Sequence, residues 1–174
     1  KNTLKIIQIF FFCFFIISCA KEDGSSSSSA STMSTPIVDD GTYKLTATTQ
    51  KVYYSNGTLY GSYVYQINHD SSVSPGYLSL AMEWKGSGVY RITSKGKATL
   101  SASGLDDTTI DCTSNAIDDV TLDTNGNVTD ETVIQTGCGG SSSSLTIVSQ
   151  KFTEVSGGFT HYSVFKDSDS NEYQ

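Results

Sequence analysis

Beyond residue 41, apolar and polar positions change places at almost every residue. Tyr43, Leu45 and Ala47 alternate with Lys44, Thr46 and Thr48, and Leu78, Leu80, Met82 and Trp84 with Ser79, Ala81, Glu83 and Lys85. Tyr90 and Ile92 flank Arg91, and Ala98, Leu100 and Ala102 flank Thr99 and Ser101. Phe159, His161, Ser163 and Phe165 interleave with Thr160, Tyr162 and Val164. A period of two sends successive side chains to opposite faces of a strand, and Thr, Val and Tyr suit that pleated surface. After the first nineteen residues no window repeats apolar residues at helical spacing. The pattern predicts an all-β domain over 41–166.

Turn signals punctuate these runs: Ser55-Asn56-Gly57, Ser74-Pro75-Gly76, Lys85-Gly86-Ser87-Gly88, Ser94-Lys95-Gly96, Gly104 to Asp107, Thr124-Asn125-Gly126 and Ser156-Gly157-Gly158. Asn-Gly supplies the positive φ values that tight hairpins require. The spacing predicts roughly eight to ten strands, most of them joined by short turns. Short connections make sequence neighbours pair, and such a meander closes or folds over to remove its edges. The expected architecture is an antiparallel up-and-down barrel, with a β-sandwich as the alternative. Residues 167–174 read as a C-terminal tail.

The start of the chain follows another rule. Lys1 and Lys5 precede Ile6 to Ile17, an apolar run broken only by Gln8. That is the length of a signal-peptide core and short of the ~20 residues a spanning helix needs. The run ends Ile16-Ile17-Ser18-Cys19, which closely resembles the lipobox of bacterial lipoproteins. The resemblance implies a signal peptide over 1–18, cleavage before Cys19, and acyl chains on that cysteine. It makes the membrane a partner through the lipid. Lys21-Glu22-Asp23 resembles a surface-export signal, and no aspartate follows Cys19 directly, which by the same resemblance implies the outer membrane, periplasmic or surface-exposed. Residues 19–40 then form the anchor and a Ser-rich linker, whose coil would reach ~25 Å.

Composition narrows the function further. Eleven Lys and Arg stand against 18 Asp and Glu, for a net charge of −7, which argues against nucleic-acid binding. From Ala98 to Gln150 there is no basic residue but there are eight carboxylates: Asp106, Asp107, Asp111, Asp118, Asp119, Asp123, Asp130 and Glu131. Asp123-Thr124-Asn125-Gly126-Asn127 opens like a calcium loop. Val128 and Ile134 stand where Gly and Glu belong, so a hairpin tip explains it better, and no metal or cofactor is expected. Asp167-Ser168-Asp169-Ser170-Asn171 repeats the pattern.

Once Cys13 and Cys19 are assigned to the leader and the lipid, Cys112 and Cys138 remain. In an exported chain they are expected to form a disulfide. His69 and His161 match no zinc or triad spacing, so binding without catalysis is expected. The alternatives are a structural or shielding envelope protein and an exported hydrolase. Tyrosines crowd the second strand region, and Tyr60, Tyr63, Tyr65 and Trp84 are candidate contacts for an apolar small molecule, a glycan or a protein. Gly41-Thr42-Tyr43-Lys44-Leu45 resembles the G-T-W-K-L opening of lipocalin-like bacterial lipoproteins, with Tyr43 in place of Trp. That resemblance implies an eight-stranded barrel plugged at one end by the aromatic and open to an apolar ligand at the other.

Overall fold

A computed structural model describes residues 18–21, 36–139, 146–167 and 169–174. The expected signal peptide through residue 17 and the Ser-rich run 22–35 lie outside the described residues. Those described contain ten strands and no helix: β1 (Ser18–Lys21), β2 (Gly41–Tyr53), β3 (Leu59–His69), β4 (Ser79–Gly86), β5 (Val89–Ser101), β6 (Thr108–Leu122), β7 (Val128–Gln135), β8 (Thr146–Val155), β9 (Gly158–Lys166) and β10 (Glu172–Tyr173). The protein is all-β, a single antiparallel sheet curled into a partly closed ring.

The order round the ring departs from a simple meander. The first half of β2 pairs with β4 and its second half with β3, and both of those strands pair with β5 on their other side. One place in the sheet is therefore shared by two strands end to end. On the far side of β2, β1 fills the gap to β9 at one end and β10 fills it at the other. From β5 the sheet runs on through β6 to β7, and from β9 to β8.

Several sequence expectations change at this point. Ser94-Lys95-Gly96 is continuous strand within β5, opposite a bulge at Thr113–Asn115 of β6, and not a turn. Even-numbered side chains from Tyr90 to Leu100 stay inward throughout, and the register with β6 shifts between Ser94 and Gly96. Gly96 has φ +93°, and a Cβ there would lie 1.9 Å from the Tyr77 carbonyl oxygen, so the signal marks a close backbone approach. In β2, Ala47 is exposed and Thr48 is buried. The inward parity slips by one residue where the partner changes from β4 to β3, and such a slip flips every later side chain. The presumed tail of residues 167–174 contains β10, which the Asp167–Asn171 turn folds back beside β9. Ser18–Lys21, partly assigned to the anchor and linker, is a strand opposite Ala47 to Tyr43. Its backbone satisfies edges of β2 and β9 that diverge there.

The core is densest at one end of the ring and continues through Ala98, Leu100, Ile110 and Cys112 toward the other. Tyr43, Leu45, Leu80, Met82, Tyr90, Ile92, Val120, Leu122, Phe152 and Phe159 are buried together under Val38. The Tyr43 and Phe159 rings meet edge to face at 4.9 Å, and the Tyr43 hydroxyl donates to the Asp39 carbonyl at 2.6 Å. The Val38 amide donates to the Tyr90 hydroxyl at 3.1 Å, which satisfies a polar atom that apolar burial would otherwise penalise. Other inward positions are polar: Thr48, Ser94, Gln150, His161 and Ser163 are all buried. The interior is thus mainly apolar, with a few buried polar side chains among its inward positions.

Candidate functional site

The ring is incomplete between β7 and β8. Beside the β6–β7 turn the two edges meet at one bridge, Asn127 with Lys151, and the Phe152 amide donates to the Gly126 carbonyl at 2.8 Å. Further along, the strands diverge with no ladder between them. At the wide end, residues 136–139 lean onto β6 instead. Gln135 Nε2 donates to the Ser114 and Asn115 carbonyls at 2.9 and 3.1 Å, and the Gly139 amide donates to the Asp111 carbonyl at 2.6 Å. Gly137 packs so close to Asn115 that a Cβ would lie 1.4 Å from its carbonyl oxygen.

Cys112 and Cys138 stand at disulfide distance (S–S 2.07 Å), fastening this end as the sequence predicts. Protein prepared without reductant should accordingly yield one cross-linked peptide joining the two cysteines by mass spectrometry. Alkylation of both thiols without reductant would contradict the bond.

The divergence leaves a cleft of about 220 Å³ that passes between the edges into the interior. Its walls are Val133 and Glu131 of β7, Ile147 and Gln150 of β8, Ala116 and Asp118 of β6, and Phe165 of β9, with Cys138 at the rim. No basic side chain lines it. Burial, the neighbouring Glu131 and the neighbouring Asp119 together raise the Asp118 carboxyl to about 6. Asp119 points to the outer face, where Arg91 grips it with two bonds of 2.8 Å. That ion pair holds Asp119 below the usual carboxylate range.

Behind the cleft runs a buried polar chain. Gln150 Nε2 donates to Glu131 Oε2 at 3.4 Å, which turns Gln150 Oε1 toward His161 Nε2 at 3.2 Å. Ser163 Oγ stands 3.3 Å from the same nitrogen. His161 stacks on Phe152 at 4.3 Å, and burial drives its pKa down to about 3. With its Nε2 proton directed at Gln150, the imidazole has no lone pair there to accept the Ser163 proton, as a general base must. The trio therefore ties β8 to β9 and does not activate an alkoxide. His69 is likewise structural. Its Nε2 donates to the Leu45 carbonyl at 3.0 Å, and its Nδ1 accepts from the Leu78 amide at 3.1 Å.

The four candidate contact aromatics are not brought together. Tyr60 is on the outer face of the β2–β3 hairpin, edge-on to Tyr54 at 5.3 Å. Tyr63 and Tyr65 occupy the opposite, inward parity, and the Tyr65 hydroxyl donates to Gln50 Oε1 at 2.9 Å. Trp84 lies on β4, against Tyr90 at 4.8 Å. None lines the cleft, and Leu78, Leu80 and Met82 are packed in the core.

The acidic loop is also accounted for. Asp123 Oδ1 accepts from the Asn125 and Asn127 amides, and its Oδ2 accepts from Asn127 Nδ2, at 2.8 to 2.9 Å. The carboxylate completes a hairpin turn, and among the described residues no group of three or more His, Cys, Asp or Glu side chains could hold a metal ion.

Asp118 and Glu131, named in the sequence only as part of the acidic run, are the carboxylates that line the cleft. The signal was parity: Val120 and Leu122 face inward on β6, so Asp118 must as well. Compared with family models, curated proteins and solved structures, the chain gives no match.

Proposed function

We propose that the protein is a lipid-anchored component of the bacterial outer membrane whose β-domain binds a ligand or partner without turnover. The observation that carries the binding half is the cleft, which opens through the β7–β8 seam onto both apolar walls and carboxylates. The anchor half rests on Ile16-Ile17-Ser18-Cys19, and the Cys112–Cys138 pair suits an oxidising, exported location. Two or three acyl chains, at ~0.8 kcal/mol per buried methylene, would hold the protein at the bilayer. Cleavage before Cys19 would leave Cys19–Lys21 as the first strand, so the lipid would emerge beside β2 and β9. The domain would then rest close to the headgroups.

Cys19→Ala should abolish labelling by a clickable fatty acid and move the protein out of the membrane fraction. Labelling that persists in this variant would end the lipoprotein reading.

A further inference from the structure

The cleft's walls and its charge point to different parts of one ligand. Val133, Ile147, Ala116 and Phe165 offer an apolar surface, while Asp118 and Glu131 open onto the same space. The two carboxylates lie on adjacent strands, with Val120 paired to Glu131 and Asp118 to Val133. Arg91 is committed to Asp119 on the outer face, so the cleft receives no positive charge from it. Gln150, almost wholly buried, backs Glu131 with a hydrogen bond and fixes that carboxylate against the interior.

A hard divalent cation takes six or more oxygen ligands, and its hydrated shell gains nothing from apolar walls. An ammonium group has only three protons to place, and the alkyl or aryl body attached to it would cover Val133, Ile147 and Phe165. A dry cavity of ~150 Å³ accommodates benzene. On that scale about 220 Å³ suits a molecule of roughly nine non-hydrogen atoms.

We propose that the β7–β8 cleft is a binding site for a small amphiphilic amine, its ammonium group held between Asp118 and Glu131 and its apolar body against Val133, Ile147 and Phe165. This deepens the binding reading above and rests on it. The raised pKa of Asp118 agrees with the geometry, since uncompensated negative charge in a half-buried site is relieved by a cation.

The test is a calorimetric titration of the intact domain, at pH 7.5 and low salt, with three probes of closely similar size: phenethylamine, 2-phenylethanol and phenylacetate. The amine should bind at least tenfold more tightly than the alcohol, and the carboxylate should not bind. Asp118→Asn should cost the amine tenfold or more, as expected when a charge-assisted hydrogen bond is lost, and should leave the alcohol unchanged. Ala116→Leu, which fills the floor, should weaken both amine and alcohol. Circular dichroism confirms that each variant is folded before it is titrated. Equal binding of amine and alcohol, or an Asp118→Asn variant that keeps its amine affinity, would overturn the amine assignment and leave the cleft as a neutral apolar site. Absence of binding by all three probes would overturn the amine assignment and remove the support that the cleft gives to ligand binding.

Discussion

Gly126→Ala should lower the stability of the domain by about 4 kcal/mol or more, combining left-handed strain with a backbone clash. Gly126 has φ +82°, and a Cβ on it would lie 2.0 Å from the Phe152 carbonyl oxygen. A backbone atom cannot rotate away as a side chain can, so β8 itself would have to move. Moving β8 breaks the Phe152 amide bond to the Gly126 carbonyl, beside the one bridge that closes the ring. The control is Gly57→Ala, at φ +79° with nothing within 4 Å, where only the conformational cost of about 1 to 2 kcal/mol applies. Thermal unfolding followed by circular dichroism should show the first variant melting about 10 °C or more below wild type and the second only a few degrees below. Equal shifts would mean that the seam closure contributes nothing.

The second large effect concerns acid. His161 has a folded pKa of about 3, well below the unfolded value of 6.5. Its contribution is therefore fully present above pH 6.5 and is lost as pH falls toward 3. Between pH 7.5 and 4.5 the loss is about 2.5 kcal/mol. The ring's neighbours include Gln150, Ser163 and Phe152, which are uncharged. Asp118 works in the opposite sense. Its folded pKa of about 6 exceeds the unfolded 3.8, so its contribution is fully present below pH 3.8 and lost as pH rises through 6. Screening at the cleft mouth limits that loss to about 1 to 2 kcal/mol.

The wild type should therefore melt a few degrees lower at pH 4.5 than at pH 7.5, because the His161 loss exceeds the Asp118 gain and the lowered pKa of His69 acts in the same sense as His161. His161→Gln keeps a donor for Gln150 and should be less stable at pH 7.5, yet it should gain stability toward pH 4.5. Asp118→Asn should be stabilised at pH 7.5 and should lose stability toward pH 4.5. The carboxylates that lie below their usual range, such as Asp119 and Asp123, act below about pH 4 and stay outside this window. Parallel pH profiles for the two variants would refute the opposing assignment.

The strands were legible because their physics is local. Alternation needs only neighbouring residues, and eight strands, β2 to β9, occupy the predicted 41–166. What the sequence did not reveal depends on contacts distant along the chain. Gly96 reads as a turn until the Tyr77 carbonyl is seen against it. Ala47 reads as inward until β2 is found to change partners. The cleft was half legible, since the parity of Val120 and Leu122 already turns Asp118 inward, while its placing beside Ile147 and Phe165 depends on how the edges diverge. Tyr60 and Tyr63 could be separated by parity alone, because an odd spacing on one strand puts them on opposite faces.

The place of β10 has a consequence for the order of events in folding. Lys51 and Gln174 exchange two backbone hydrogen bonds, although they are 174 − 51 = 123 residues apart. Bringing such distant points together costs about 4 kcal/mol in chain entropy. Hairpins such as β4–β5, β6–β7 and β8–β9 close over a few residues and can form while the rest of the chain is still loose. The junction between β2 and β9 must wait, at its β10 end, for residues 172–174. Until then the sheet is a strip with open edges, able to pair with other chains. A protein with this topology benefits from meeting no partner before β10 has docked, because the β2 edge beside it stays open until then.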